Sequence, residues 1–169
     1  MSFSVKRVTW REWLGLVAGL LALVATFLPW TTLSTSRPDV EDALKSLPHD
    51  DVVRDAWNSD FFSWFPPLLL LAAGLAVALF GQIRKVRISG LPQLWLVAVA
   101  AVLVLMLIGW VTNDWQFTAD QRGLFDAGGI VIGLGYGRYL GLVAALVSFV
   151  VSILDIRAAR AESRMPRRR

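Results

Sequence analysis

Residues 129–155 read GIVIGLGYGRYLGLVAALVSFVVSILD, a glycine-rich and almost wholly apolar run that contains one arginine, Arg138. After that arginine, residues 139–154 carry no charge. A bilayer core of ~30 Å needs about 20 apolar residues in a helix. The run therefore predicts a membrane-spanning helix, and it raises the question of whether Arg138 lies inside the membrane or at its boundary.

Three further stretches lack charged residues, namely 13–30, 61–83 and 88–113. Of the 169 residues, 56% are hydrophobic, which is above the share typical of soluble domains. These patterns predict an all-α integral membrane protein, a single membrane domain over residues 1–169 that folds as a bundle of four transmembrane helices. The predicted segments are helices near 12–30, 62–83, 92–112 and 134–156, an outer loop at 31–61 and a basic tail at 157–169.

Charged residues are distributed unevenly around these helices. The two ends of the chain and the turn between the second and third helices hold 12 basic and three acidic residues, whereas the two longer loops hold four basic and ten acidic residues. Basic residues that flank membrane helices stay in the cytoplasm. Both termini are therefore predicted to be cytoplasmic, in a multi-pass protein of the plasma (inner) membrane whose longer loops lie outside.

Aromatic and basic side chains near the helix ends are candidate contacts with lipid or with a partner. Trp57 and Trp64 lie close to the outer start of the second helix, where an indole ring keeps its body in hydrocarbon and its N–H in water. On the cytoplasmic side, we expect basic residues to hold anionic lipid headgroups. These basic candidates are Lys6, Arg7, Arg84, Lys85 and Arg87.

Two amphipathic patterns occur in the first outer loop. PDVEDALKSLP at residues 38–48 places apolar side chains on one helical face, and HDDVVRDAW at residues 49–57 repeats the pattern weakly. Two short helices are therefore expected over the outer end of the bundle. Their apolar faces can pack on the bundle, rest on lipid or receive a partner, and packing on the bundle is the favoured interpretation.

Small residues recur at intervals of four on two of the predicted helices. Gly15 and Gly19 do so on the first helix, and Gly137 and Gly141 on the fourth. In lipid, this spacing lets helix backbones approach closely. We expect these glycines to pack helices of the same chain together, rather than against another protein.

Arg138 admits two interpretations. A helix of about 20 residues that ends at Leu154 begins near Gly135, which places Arg138 within one turn of the outer interface. There the guanidinium group can reach water and pair with the acids of the second outer loop, Asp114, Asp120 and Asp126. The other interpretation is a contact with a partner subunit or a lipid phosphate. The boundary interpretation is favoured.

Residues that catalysis or metal binding requires are scarce. The chain has no cysteine, and its one histidine, His49, lies in a polar loop, so zinc sites and haem held by paired histidines are not expected. The sequence contains neither a metalloprotease motif nor a nucleophile elbow, and the apolar stretches contain no acid. We therefore expect no enzymatic activity, no cofactor, no metal and no nucleic-acid partner.

Three features carry a resemblance to known proteins: FLPW at residues 27–30, the tryptophan-containing outer loop, and GYGRYLGL at residues 135–142. With them the chain resembles small four-helix membrane proteins of actinobacteria. Its size and layout are similar to those of accessory subunits of the actinobacterial cytochrome bc–cytochrome oxidase supercomplex. The resemblance implies a non-catalytic accessory subunit of a respiratory, electron-transport complex, bound to other integral membrane subunits.

The alternative comes from a different functional class, a small transporter or lipid-handling protein of the cell envelope. Four helices without an internal row of polar residues disfavour a pore within one copy of the chain. The larger first outer loop is also similar to that of claudins, but claudins carry a cysteine pair in this loop and the chain has no cysteine.

Overall fold

The structure is a computed structural model that describes residues 8–83, 86 and 90–164. Most of the described residues are helical. In chain order the elements are α1 (Trp10–Ala25), β1 (Thr31–Thr35), α2 (Pro38–Ser46), α3 (His49–Val52), β2 (Val53–Arg54), α4 (Phe61–Phe80), α5 (Leu91–Val111), a 3-10 turn (Asn113–Gln116), α6 (Ala119–Gly128), β3 (Ile130–Leu134) and α7 (Tyr136–Arg164).

Four long helices form a bundle in which α1 and α5 each pack against both α4 and α7. The space between them is filled by buried apolar side chains, of which Trp95 on α5 is the largest. Its indole N–H donates to Ser148 Oγ on α7 at 3.3 Å, so the polar atoms of two facing helices satisfy one another. The other core side chains include Leu70, Val99, Val102, Met106 and Ala144.

Three helices are long and apolar enough to cross a membrane: α4, α5 and the Tyr136–Ala161 part of α7. Large apolar side chains on the outer faces of the bundle are exposed, among them Val104 on α5 and Val150 on α7. An apolar surface of this extent is what lipid covers in a membrane protein and what a soluble protein avoids. These long apolar helices and their exposed apolar surface are typical of a helical integral membrane protein.

The helix α1 is shorter than the predicted segment at 12–30. It begins after Thr9, whose side chain and that of Glu12 form a reciprocal capping box, and it has 16 residues. After Ala25 the backbone tightens into a turn in which the Leu28 N–H bonds to the Ala25 carbonyl, and Pro29 follows. A 16-residue helix spans about 24 Å, which is less than the ~30 Å core of a bilayer.

Glycines bring the helices of this chain together. A Cβ atom at Gly19 would lie 2.8 Å from Leu71 Cα on α4, and one at Gly15 would lie 2.5 Å from the Trp95 ring. On α7, a Cβ atom at Gly137 would lie 2.7 Å from the Trp30 ring. Gly141 is less crowded, since its nearest neighbour, Met106 Cε, would be 3.4 Å away. These contacts are all internal to the chain.

A small antiparallel sheet that the sequence did not predict joins the loop after α1 to the segment before α7. Its strand order is β2–β1–β3, with Thr31 opposite Leu134 and Thr35 opposite Ile130. The prediction of a purely α-helical fold is therefore wrong in this region. The two main strands, TTLST and IVIGL, are rich in the β-branched residues that favour strands, but their pairing joins segments about a hundred residues apart.

The two short helices predicted between the first and second long helices are present, although the second is shorter than its pattern suggested. The first pattern forms α2, which buries Leu44. The second forms only the single turn of α3 and then passes into β2, because Val53 and Arg54 pair with β1. Together with the sheet, the 3-10 turn and α6, these elements make a cap over one end of the bundle. We call it the outer cap, after the side of the membrane that the charge distribution predicts for it.

Candidate functional site

Arg138 lies in the first turn of α7, where it is only 3% exposed. Its Nε donates to the Trp30 carbonyl at 3.0 Å, and its Nη1 donates to the Gly109 carbonyl at 2.6 Å. Its Nη2 reaches the hydroxyl oxygens of Ser63 at 3.3 Å and Thr31 at 3.5 Å. One guanidinium group thus joins α4, α5, α7 and the segment that leads into β1.

This placement contradicts the pairing that the boundary interpretation gave to Arg138. The three acids expected to pair with it, Asp114, Asp120 and Asp126, are exposed, and they are not among its partners in the described part of the chain. Nor is the side chain exposed to a partner subunit or a lipid phosphate, because the protein itself buries it.

Backbone contacts between the start of α7 and the segment that joins α1 to β1 explain why Arg138 is covered. The Gly135 N–H donates to the Trp30 carbonyl at 3.0 Å, and the Gly137 N–H donates to the Pro29 carbonyl at 2.8 Å. A Cβ atom at Gly135 would overlap the Pro29 carbonyl, so only glycine permits this approach. The outer cap therefore lies directly over the first turn of α7 and covers the arginine.

A carboxylate balances the positive charge of Arg138 through one intervening hydroxyl group. The Ser63 hydroxyl accepts from Arg138 and donates to Asp60 Oδ1 at 2.7 Å, which makes a chain of Arg138, Ser63 and Asp60. The negative charge of Asp60 acts on the guanidinium. A buried charge is expensive unless it is hydrogen-bonded and balanced by an opposite charge. Here the carbonyls supply the bonds, and Asp60, which is only partly buried, supplies the charge.

Arg138 also stabilises the ends of two helices. Gly109 is among the last four residues of α5, whose carbonyls have no partner within the helix, and a cation is favourable there. The Trp30 ring lies 5.6 Å from the guanidinium carbon, within range of a cation–π contact. The Trp30 indole N–H in turn donates to the carbonyl of Ala25, the last residue of α1, at 2.6 Å.

Hydrogen bonds extend this cluster from Arg138 to the 3-10 turn. The Thr31 hydroxyl, which accepts from Arg138, donates to Asn113 Oδ1 at 3.3 Å and accepts from Gln116 Nε2 at 3.0 Å. Thr31 and Asn113 are both buried. The network therefore connects the loop after α1 and the loop after α5 to the long helices. We call Asp60, Ser63, Arg138, Trp30, Thr31, Asn113 and Gln116 the arginine network.

A second polar cluster lies at the opposite end of the bundle. Glu12 is 1% exposed, and its Oε2 accepts from the Thr9 backbone N–H at 2.7 Å. Beside it, Arg11 Nε bonds to Asp155 Oδ1 at 3.0 Å and so ties α1 to α7. In the sequence, Glu12 and Asp155 are only charges that flank apolar stretches. Their burial follows from helix packing, which the local sequence does not reveal.

Of the other predicted contact residues, the two tryptophans belong to an aromatic cluster, and the basic residues lie outside the described part of the chain. Trp57 and Trp64 stack with ring centroids 6.5 Å apart, and Phe27 lies 6.0 Å from Trp57. Trp57 is exposed, so this cluster forms part of the outer surface near the end of α1. The basic candidates Lys6, Arg7, Arg84, Lys85 and Arg87 all lie outside the described residues.

Exposed ion pairs on α2 contribute little to the attachment of the cap. Arg37 bonds to Asp39 Oδ2 at 2.9 Å, and this hydrogen bond holds the pKa of Asp39 below its ordinary value. The hydrogen bond of Lys45 with Glu41 raises the pKa of Lys45. Pairs that are this exposed are screened by water and add little stability. The buried arginine network and the sheet therefore hold the cap in place.

Comparison with known proteins supplies no relative. No family model, curated protein or solved structure matches this chain. Across the described residues, no group of three or more His, Asp and Glu side chains is arranged to hold a metal ion. A proposal for the function therefore rests on the arginine network, the packing of the bundle and the surface of the outer cap.

Proposed function

We propose that this protein is a non-catalytic accessory or structural subunit of a larger plasma-membrane complex. The observation that carries the proposal is the arginine network, in which Arg138 donates to four groups of its own chain. These bonds fix the outer cap to the bundle. A cap that is fixed in this way presents one constant surface to a neighbouring subunit, as a structural role requires.

Packing inside the bundle supports the same role. The space between the helices is occupied by Trp95, Val99 and Val102, all buried to 1% exposure or less. A filled interior leaves the outside of the molecule as the region that meets other molecules. This favours a subunit that binds through its surface over the alternative of a transporter with a path between its helices.

The proposed orientation places all four long helices across the membrane, with both termini in the cytoplasm. Helix α1 turns large side chains such as Val17 and Val24 outward and buries small ones such as Ala18 and Ala22, as a lipid-facing helix in a bundle does. Its start, which contains Arg11, lies at the same end as Asp155 of α7. We propose that this end faces the cytoplasm and that basic residues flanking the helices there hold anionic lipids.

Purification of the tagged full-length chain in a mild detergent tests this function. We expect integral membrane proteins to co-purify in stoichiometric amounts, and the resemblance noted above makes the respiratory supercomplex the first candidate partner. Its presence would give the absorbance of haem, a group that the tagged chain is not expected to bind. A chain that elutes alone or as a homo-oligomer under conditions that keep other membrane complexes intact would contradict the proposal and favour the transporter or lipid-handling alternative.

A further inference from the structure

The strand β3 lies at an edge of the small sheet in the outer cap, which we call the outer sheet. In the described part of the chain, it pairs with β1 on one side and with no strand on the other. Its sequence, IVIGL, contains neither a charge nor a proline, the residues that proteins often use to block such edges. An open strand edge carries N–H and carbonyl groups that can pair with an added strand.

Pairing with β1 determines which groups of β3 are free. The Gly135 N–H bonds to the Trp30 carbonyl, and bonded residues alternate with unbonded ones along an antiparallel pair. By this alternation Val131 and Gly133 bond to β1, whereas the backbone groups of Ile130 and Ile132 point away from it. The backbone N–H and carbonyl groups of these two residues can therefore pair with an added strand.

A groove of about 690 Å³ follows this free edge, between β3 and α6. Ile130, Val131 and Ile132 all line it. Because successive side chains point to opposite faces of a sheet, three consecutive lining residues indicate that the groove runs along the backbone edge and not over one face. Ile130 and Ile132 are partly exposed and Val131 between them is 62% exposed, so the groove is open to solvent.

Charges in the groove indicate what kind of strand it would accept. Asp114 and Asp126 line it, with Arg122 as the one basic residue, so its balance is acidic. A second copy of the chain, paired through β3, would bring the same acids of the two copies together. An added strand with lysine or arginine side chains would instead be complementary.

We propose that β3 accepts an extended segment of a partner protein as a fourth strand of the outer sheet, and that this segment carries lysine or arginine. The inference rests on the proposed function and specifies how the subunit recognises its partner. Backbone hydrogen bonds with Ile130 and Ile132 hold the segment, while Asp114 and Asp126 select its charge.

The first test uses a short synthetic peptide of alternating threonine and lysine, fluorescently labelled, and the full-length protein in detergent. Fluorescence anisotropy measures binding. We expect the peptide to bind, and its N-methylated form, in which alternate amides cannot donate, to bind about tenfold more weakly because strand-pairing bonds are lost. We expect the same peptide with glutamate in place of lysine not to bind. Equal binding of the parent and N-methylated peptides, or no binding by the parent, would overturn the proposal.

Matched variants locate the site. Asp126→Asn should weaken binding of the lysine peptide severalfold, whereas Asp120→Asn, an exposed acid on the same helix that does not line the groove, should leave it unchanged. Val131→Lys should also weaken binding, because it places a positive charge on the edge. Equal effects of the two Asp→Asn changes would show that only the general charge of α6 attracts the peptide, which contradicts the proposal.

Hydrogen exchange gives a readout that is specific for the edge. The bound peptide should slow amide exchange at Ile130 and Ile132 and leave Val131 and Gly133, which already bond to β1, nearly unchanged. Self-association of the chain that Val131→Lys abolishes would overturn the proposal in favour of a second copy. Peptide binding and co-purification are measured separately, so a chain that binds the peptide but purifies alone contradicts only the proposed function.

Discussion

Replacement of Arg138 by methionine tests the arginine network most directly. Methionine keeps part of the apolar stem and removes the guanidinium group. The bonds to the carbonyls of Gly109, at 2.6 Å, and Trp30, at 3.0 Å, are the short ones and should dominate the effect. The Trp30 carbonyl keeps its bond from the Gly135 N–H, whereas the Gly109 carbonyl loses a charged partner at a buried position.

The expected loss follows from these two bonds. A hydrogen bond that involves a charged group contributes about 1.5–3 kcal/mol, so the pair contributes about 3–6 kcal/mol. Removal of the buried guanidinium also removes its desolvation cost, which offsets part of this loss. We therefore expect Arg138→Met to lower the free energy of unfolding by ~2–4 kcal/mol. Arg138→Lys keeps the charge but cannot reproduce the planar fork, so about half that loss is expected.

Equilibrium unfolding in detergent micelles, followed by tryptophan fluorescence, measures the change. The matched control is Arg122→Met, an exposed arginine on α6, for which we expect a change within about 0.5 kcal/mol. Amide exchange should increase in β1 and β3 of Arg138→Met before it does in the bundle core. If Arg138→Met were as stable as the control, the structural role of the network would be refuted and a boundary arginine, worth at most about 1 kcal/mol, would fit better.

Three further predictions concern topology, packing and the tail. A cysteine at Ser46 should react with an impermeant thiol reagent on whole cells and one at Ser89 should not, in a chain otherwise free of cysteine; the reverse pattern would contradict the proposed orientation. Gly19→Ala should destabilise the bundle by ~1–3 kcal/mol in the unfolding assay, because the added Cβ would press on the α4 backbone. The control Gly123→Ala, at a position with open space around it, should not destabilise the bundle. Equal effects of the two changes would exclude close packing as the cause. Truncation after Glu162 should leave the protein folded in the membrane fraction, and its loss from that fraction would show that the tail does more than hold lipid or a partner.

Apolar helices are the part of this protein that its sequence determines. The predicted segments at 62–83 and 92–112 correspond to α4 and α5 within a few residues, because a run of apolar side chains long enough for a bilayer is a local property of the chain. The uneven distribution of basic and acidic residues is local too, and the prediction of the orientation depends on it alone. The spacing of the glycines is also a local property of the chain, and it indicated close helix packing.

Tertiary structure decided the sheet and the place of Arg138. β1 and β3 are short strands that become visible only when they pair, and helical or alternating periodicity within either segment does not show the partner. The sequence placed Arg138 by its distance from the end of the helix, and that distance is consistent with the boundary of the membrane. Its actual partners include Gly109 and Trp30, which are 29 and 108 residues away along the chain. Burial depends on what the fold places over a side chain, and here the outer cap closes over an arginine that the sequence alone would leave facing water.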